Sequence, residues 1–252
     1  MFFDAKKETE IIVEFIRNYY LEHNLGGVVL GVSGGKDSAV VAALFVEALG
    51  KENVLGLTLP CHSNDDDRND AKLVSDYYGF NLLNFDLTKV FDDFKEELFK
   101  IDAFSGSDTL NSDINLKPRL RMSTLYYFAA LYSSLTGKPY LVAGTSNKCE
   151  IYVGYFTKGG DNVHDISVLA DLTVEEVIKI GEYLKVPEKV LHKVPSDGLS
   201  GVSDEEKLGV KYSDIEKYFF DRDVLSKDVV DRIEKLHSNN LHKFNIPTYR
   251  KD

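Results

Sequence analysis

The stretch Gly31-Val32-Ser33-Gly34-Gly35-Lys36-Asp37-Ser38 decides the fold. It follows the apolar run Val28-Val29-Leu30, which predicts a buried strand, and it opens the run Ala39 to Leu49, which predicts a helix. A strand, a tight Gly-Gly turn and a helix start make an anion site, because free backbone N–H groups and the helix dipole converge where glycines let a phosphate approach closely. Asp37 adds a condition. A carboxylate beside a polyphosphate repels it unless a hard cation lies between them, so the loop predicts Mg2+ together with phosphate. The plain alternative is a Ser/Gly turn whose Asp37 and Ser38 merely cap a helix.

Two other phosphate cradles fail on spacing. A Walker loop needs Gly, four residues, then Gly-Lys-Ser/Thr, but Leu30 stands at the first glycine and Asp37 follows Gly35-Lys36. The dinucleotide fingerprint fails because Ser33 and Lys36 hold its second and third glycine positions. What remains, Ser-Gly-Gly-Lys-Asp-Ser, is similar to the signature of the ATP-pyrophosphatase families, which cut ATP between its α and β phosphates to adenylate a substrate.

The chain has 252 residues, 43% of them apolar, enough for one α/β domain with a sizeable core. Thirty basic against 41 acidic residues give a net charge of −11, which argues against nucleic acid as the main partner. The two cysteines, Cys61 and Cys149, lie far apart with no Cys-x-x-Cys, so neither a disulfide framework nor a zinc site is indicated. The N-terminus turns charged at Asp4-Ala5-Lys6-Lys7, unlike a signal peptide, and no apolar run approaches membrane-spanning length. A cytoplasmic protein with no membrane partner is expected.

Taken in order, Ile11, Ile12, Phe15, Ile16 and Tyr19 predict an amphipathic helix over 8–24. Strands are expected at 28–32, 53–59, 81–86 and 140–144, and helices at 38–49, 69–78 and 88–100. This alternation implies a parallel sheet with right-handed crossovers, whose ligands bind beyond the carboxyl ends of the strands. Asp65-Asp66-Asp67 reads as a dipole complement at a helix start, with a metal cluster as the alternative. The segment 102–115 reads as a mobile surface loop. The run Ser123 to Leu135 is too aromatic for a solvated helix, so it is either core or a subunit interface. Further helices are expected at 173–185, 211–219 and 226–239, with a Gly/Ser loop at 193–209.

The resemblance then becomes specific. The 31–38 loop, Gly144-Thr145 followed by Glu150, Tyr155-Phe156-Thr157-Lys158 with Asp161 and Asp165, and Pro195-Ser196-Asp197-Gly198-Leu199 leading to Ser203-Asp204-Glu205 together resemble the NAD+ synthetase family along nearly the whole chain. The resemblance implies a Rossmann-like, doubly wound α/β sheet in a single domain over 1–252. It implies adenylation of the nicotinate carboxylate of deamido-NAD+ by ATP with release of pyrophosphate, then displacement of AMP by ammonia. By the same carry-over Asp37 and Glu150 are the catalytic metal ligands for Mg2+. Gly31, Val32, Ser33, Gly34, Gly35, Lys36, Asp37, Ser38, Thr145 and Ser196 would hold ATP, and Ser196 would sit on a loop that closes over it. Arg119, Arg121, Phe156, Lys158, Asp161, Asp165, His242 and Lys243 would contact deamido-NAD+. The resemblance also implies a homodimer with active sites at the interface.

Two family positions depart from the pattern. A lysine common in the family is absent from Asp171-Leu172-Thr173-Val174, and Thr58 stands where an arginine is common. Ammonia is the expected nitrogen donor, since no stretch is left over for a glutamine amidase domain. A tRNA-modifying or GMP synthetase-like enzyme is the nearest rival. A non-catalytic adenine-nucleotide sensor is the rival of another class, and it would not need Glu150 or the Lys158 to Asp165 block.

Overall fold

The structure, a computed structural model, describes residues 3–63, 65–193 and 203–250. The chain runs α1 (Ala5–Glu22), β1 (Gly27–Gly31), α2 (Lys36–Leu49), β2 (Val54–Thr58), α3 (Asp65–Tyr78), β3 (Asn81–Asn84), α4 (Thr88–Phe99) and α5 (Leu110–Thr136). It continues with β4 (Tyr140–Gly144), α6 (Lys148–Val153), β5 (Ile166–Ser167), α7 (Val174–Tyr183), α8 (Glu188–Leu191), α9 (Asp204–Leu208), α10 (Tyr212–Phe220) and α11 (Lys227–Asn240). The five strands form one parallel sheet in the order β3-β2-β1-β4-β5. The order reverses between β1 and β4, so their carboxyl ends, at Gly31 and Gly144, flank the crevice where such sheets take ligands.

Strand alternation builds two cores. Val28, Leu30 and Val32 face the side covered by α1, α2, α3 and α7, and Val29, Leu55, Leu57 and Val142 face α4 and α5. The α2 helix is apolar nearly all round because it lies in the middle of the first layer, with Val40, Val41, Leu44 and Phe45 fully buried. A third cluster joins α6, α9, α10 and α11 through Cys149, Val153, Leu208, Tyr212, Ile215 and Ile233. On α1 the buried face is Ile12, Val13, Ile16 and Tyr20, while Ile11 and Phe15 stay about half exposed.

The expected strands and helices recur with ends shifted by a few residues, and Asp65, Asp66 and Asp67 fill the first turn of α3. The expectation of a loop over 102–115 is corrected, because α5 begins at Leu110 and runs 27 residues straight through Pro118. Proline usually marks a break, and its missing N–H hides the continuity. Only Ala129 of α5 is buried; Leu125, Tyr126, Phe128 and Tyr132 pack partly on the second core, and Tyr127, Leu131 and Leu135 point outward. Within the expected carboxyl-end loop, Lys148–Val153 forms α6, opened by an Asn147/Glu150 capping box.

Candidate active site

The phosphate loop is built by the β1-to-α2 turn. Gly34 has φ +80°, and a Cβ there would lie 2.3 Å from the carbonyl oxygen of Asp67 on α3, so only glycine fits. Ser33 Oγ and Ser38 Oγ lie 3.1 Å apart, Ser38 Oγ donates to Gly35 O, and the N–H groups of Ser33 and Gly35 donate to these hydroxyls. The helix N-cap is Gly35, which brings no side-chain acceptor, so the first-turn amides of α2 face the cavity without a side-chain cap.

Two acids converge on this turn. Asn147 Nδ2 donates to Asp37 Oδ1 (3.2 Å), and Asn147 also accepts from the N–H groups of Cys149 and Glu150 while Glu150 Oε2 accepts from Asn147 N. Burial, and then the charge of Asp37, push the Glu150 carboxyl up to about 8. The buried Lys36 donates to Asp37 Oδ2 at 2.9 Å. Burial works against its ammonium, but the charges of Asp37, Glu150 and Asp204 outweigh it and hold its pKa above the ordinary value. Among the described residues no group of three or more His, Cys, Asp or Glu side chains is arranged to hold a metal ion.

A cavity of about 400 Å3 opens over the carboxyl ends of β1, β2 and β4, within the roughly 300–1,000 Å3 typical of small-molecule sites. The whole loop Gly31, Val32, Ser33, Gly34, Gly35, Lys36, Asp37 and Ser38 lines it, together with Thr145, Glu150, Arg121 and Asp161. Arg121 is anchored by Leu59 O and Ser63 Oγ, and Asp161 accepts from Thr157 N. The remaining residues singled out for the dinucleotide gather outside the cavity. Arg119 donates to Lys158 O, Lys158 Nζ to His242 O (2.7 Å), and Lys243 Nζ to Gly154 O and Phe156 O, with Lys243 also over the Phe156 ring. Phe156 meets Phe244 edge-on, and Asp165 is held by Tyr126 Oη and Val142 N. Ser196 lies outside the described residues.

Several lining residues were given no site role by the sequence. Lys193, which bridges Asp67 and Asp70 at 2.7 Å, and Arg68 bring cations to the cavity. Tyr155 Oη donates to Asp204 Oδ1, and both line the wall beside Glu150. His164 packs against the bare Cα of Gly144. The Asn147-x-x-Glu150 and Ser203-x-x-Glu206 patterns carried a signal in advance, as capping boxes that open α6 and, within the expected loop over 193–209, α9.

The family model for NAD synthase matches residues 8–247. The chain belongs to the NAD synthase family. An NH3-dependent NAD+ synthetase of Carboxydothermus hydrogenoformans is 37% identical over 243 residues, covering 96% of each chain. Among solved structures, an NMN synthetase from Francisella tularensis superposes with a TM-score of 0.88 at 30% identity over 100% of both chains. An NH3-dependent NAD synthetase from Campylobacter jejuni gives 0.79 at 28% over 99% of this chain and 100% of the other. In this NAD synthase chain the two departures acquire surroundings: Thr58 is buried and donates to Asn84 Oδ1, and Asp171 pairs with Lys148. Among the described residues no helix is long and apolar enough to cross a membrane.

Proposed function

We propose that the chain is an ammonia-dependent NAD+ synthetase that adenylates the nicotinate carboxylate of deamido-NAD+ with ATP, releasing pyrophosphate, and then exchanges AMP for ammonia. The observation that carries this reading is the convergence of Asp37 and Glu150 on the Ser33–Ser38 loop in a chain of the NAD synthase family. A carboxylate is a poor acyl electrophile until its oxygen bears a good leaving group, which adenylation supplies.

The two acids fit Mg2+. Both offer hard oxygen donors, and the Asp37 charge adds to the cost of ionising the buried Glu150, a cost that a divalent cation reverses. Asp37 and Glu150 would hold the ion, which when bound offsets charge on the departing pyrophosphate. The first-turn amides of α2 and the Ser33 and Ser38 hydroxyls bind phosphate oxygens. Asn147 orients Asp37, and Lys36 balances its charge. Thr145 contacts the adenosine.

Arg119, Phe156, Lys158, Asp165, His242 and Lys243 form the surface that takes the dinucleotide beyond the cavity mouth, and Arg121 and Asp161 support its cavity end. A homodimer completes the site. The exposed apolar side chains on α4 and α5, among them Phe94, Tyr127 (69% exposed) and Leu135 (71% exposed), support that assembly. The cytoplasm is the proposed compartment. The deciding assay is pyrophosphate release that requires both ATP and deamido-NAD+, followed by NAD+ formation that requires ammonium. If AMP never appears with magnesium and both nucleotides present, the reading is wrong.

A second substrate has its own support. The Francisella protein is an NMN synthetase, and in this chain Arg119, Lys158 and Lys243 already spend hydrogen bonds on backbone carbonyls. The nicotinate mononucleotide carries the same reacting carboxylate. A ratio of kcat/KM for the mononucleotide over deamido-NAD+ above one would select it.

A further inference from the structure

Asp67 joins the phosphate loop to a pair of lysines that the proposed reaction leaves without a role. Its carbonyl oxygen closes on Gly34, where a Cβ would lie 2.3 Å away, and Asp67 lines the same cavity as the loop. A bare carboxylate at that point repels a triphosphate entering the Gly34 turn. Lys193 meets it from the other side of the cavity wall. Its Nζ lies 2.7 Å from Asp67 Oδ1 and 2.7 Å from Asp70 Oδ2, so one ammonium spans the two acids of α3. Burial works against that ammonium, but the bonds to Asp67 and Asp70 outweigh it and hold its pKa above the ordinary value.

The two acids are not equally dependent on Lys193. Asp70, with its side chain 2% exposed, has a second cation in Lys189, whose Nζ is 2.6 Å from Asp70 Oδ1. Lys189 belongs to α8, which Val190 and Leu191 anchor in the first core, and Lys193 follows two residues after that helix. Among the described residues Lys193 is the one ion-pair partner of Asp67, since Arg68, next in the chain, pairs with Asp65. Loss of Lys193 therefore leaves the buried Asp70 paired and α3 in place, but exposes an uncompensated charge beside the phosphate loop.

We propose that Lys193 is a positioning residue for ATP, acting through Asp67, whose charge it neutralises so that the Gly34 turn accepts the triphosphate. This rests on the ATP-dependent reading above. The experiment is calorimetric binding of α,β-methylene-ATP with Mg2+, which needs neither the acid substrate nor turnover. No binding by the unaltered protein would condemn that reading, and the proposal with it. With binding present, Lys193→Met keeps the stem, removes the charge and is expected to raise Kd about ten-fold. Lys193→Arg, whose guanidinium can also span two carboxylates, should stay within about two-fold of the parent. The double variant Lys193→Met/Asp67→Asn is expected to return Kd to within about three-fold of the parent, a rescue that neither a purely structural role nor a direct contact of Lys193 with phosphate would give. A parental Kd in Lys193→Met, or a double variant as weak as Lys193→Met alone, overturns the proposal while leaving the ATP-dependent reading intact.

Discussion

Asn147 donates its side-chain amide to Asp37 Oδ1 at 3.2 Å, joining residues 110 apart in the chain. The same side chain caps α6 and so fixes Glu150. One residue therefore sets the spacing of both proposed metal ligands.

Replacing Asn147 separates its two roles. Asn147→Asp keeps a good N-cap but turns a donor into a second carboxylate beside Asp37, a repulsion on the order of 1–4 kcal/mol. Turnover is expected to fall about ten-fold or more, and without metal the repulsion should lower Tm by several degrees. Asn147→Ala loses the cap as well and should cost about 1 kcal/mol of stability. Near-normal turnover in the Asp variant would dissociate Asn147 from the reaction.

Glu150 makes stability depend on pH. Its carboxyl, ordinarily near 4.5, is raised to about 8 in the fold, so the native state holds a proton that the unfolded chain releases. The stabilisation is full below about 4.5 and is lost as pH climbs through about 8. Without metal, Tm should therefore decline over that window in the parent protein and less steeply in Glu150→Gln. Mg2+ with ATP should flatten the decline by favouring the ionised form. Identical pH profiles for parent and variant would remove Glu150 as the cause.

Gly34→Ala forces a Cβ to within 2.3 Å of Asp67 O in a left-handed conformation. The conformational term alone is roughly 1–2 kcal/mol. The KM for ATP should rise more than that for the acid substrate. A variant with parental Tm and ATP affinity would show that the loop tolerates what the geometry forbids.

Arg119 touches the Lys158 carbonyl outside the cavity. Arg119→Ala should raise the KM for the dinucleotide more than that for ATP. The reverse ranking would move the dinucleotide surface elsewhere.

Leu135→Glu tests the homodimer. The side chain is exposed in the protomer, so folding should change by no more than about 0.5 kcal/mol. Sedimentation should nonetheless shift from dimer to monomer. A monomeric parent protein would dismiss the assembly outright.

The parallel sheet was legible because its strands are short apolar runs bounded by Gly and Pro, and the phosphate loop because its chemistry is contiguous. Pro118 concealed the length of α5, since a proline reads as a break even where neighbouring packing carries the helix through it. The Asn147–Asp37 bond and the Lys193 bridge to α3 were invisible for a different reason. Each joins segments distant in sequence, and no local pattern records a contact of that kind. Arg119, Lys158 and His242 were named singly, but their chain of backbone bonds appears only in three dimensions.

The two acids sit on helices of different hydrophobic clusters. Asp37 rides on the helix at the centre of the sheet, whereas Glu150 sits on a six-residue helix packed into the smaller C-terminal cluster. Such a satellite can open on its own while the larger unit stays folded. Gentle heating would then silence the protein before its far-ultraviolet spectrum changes, and cooling would restore it, because the satellite carries one half of the proposed metal pair.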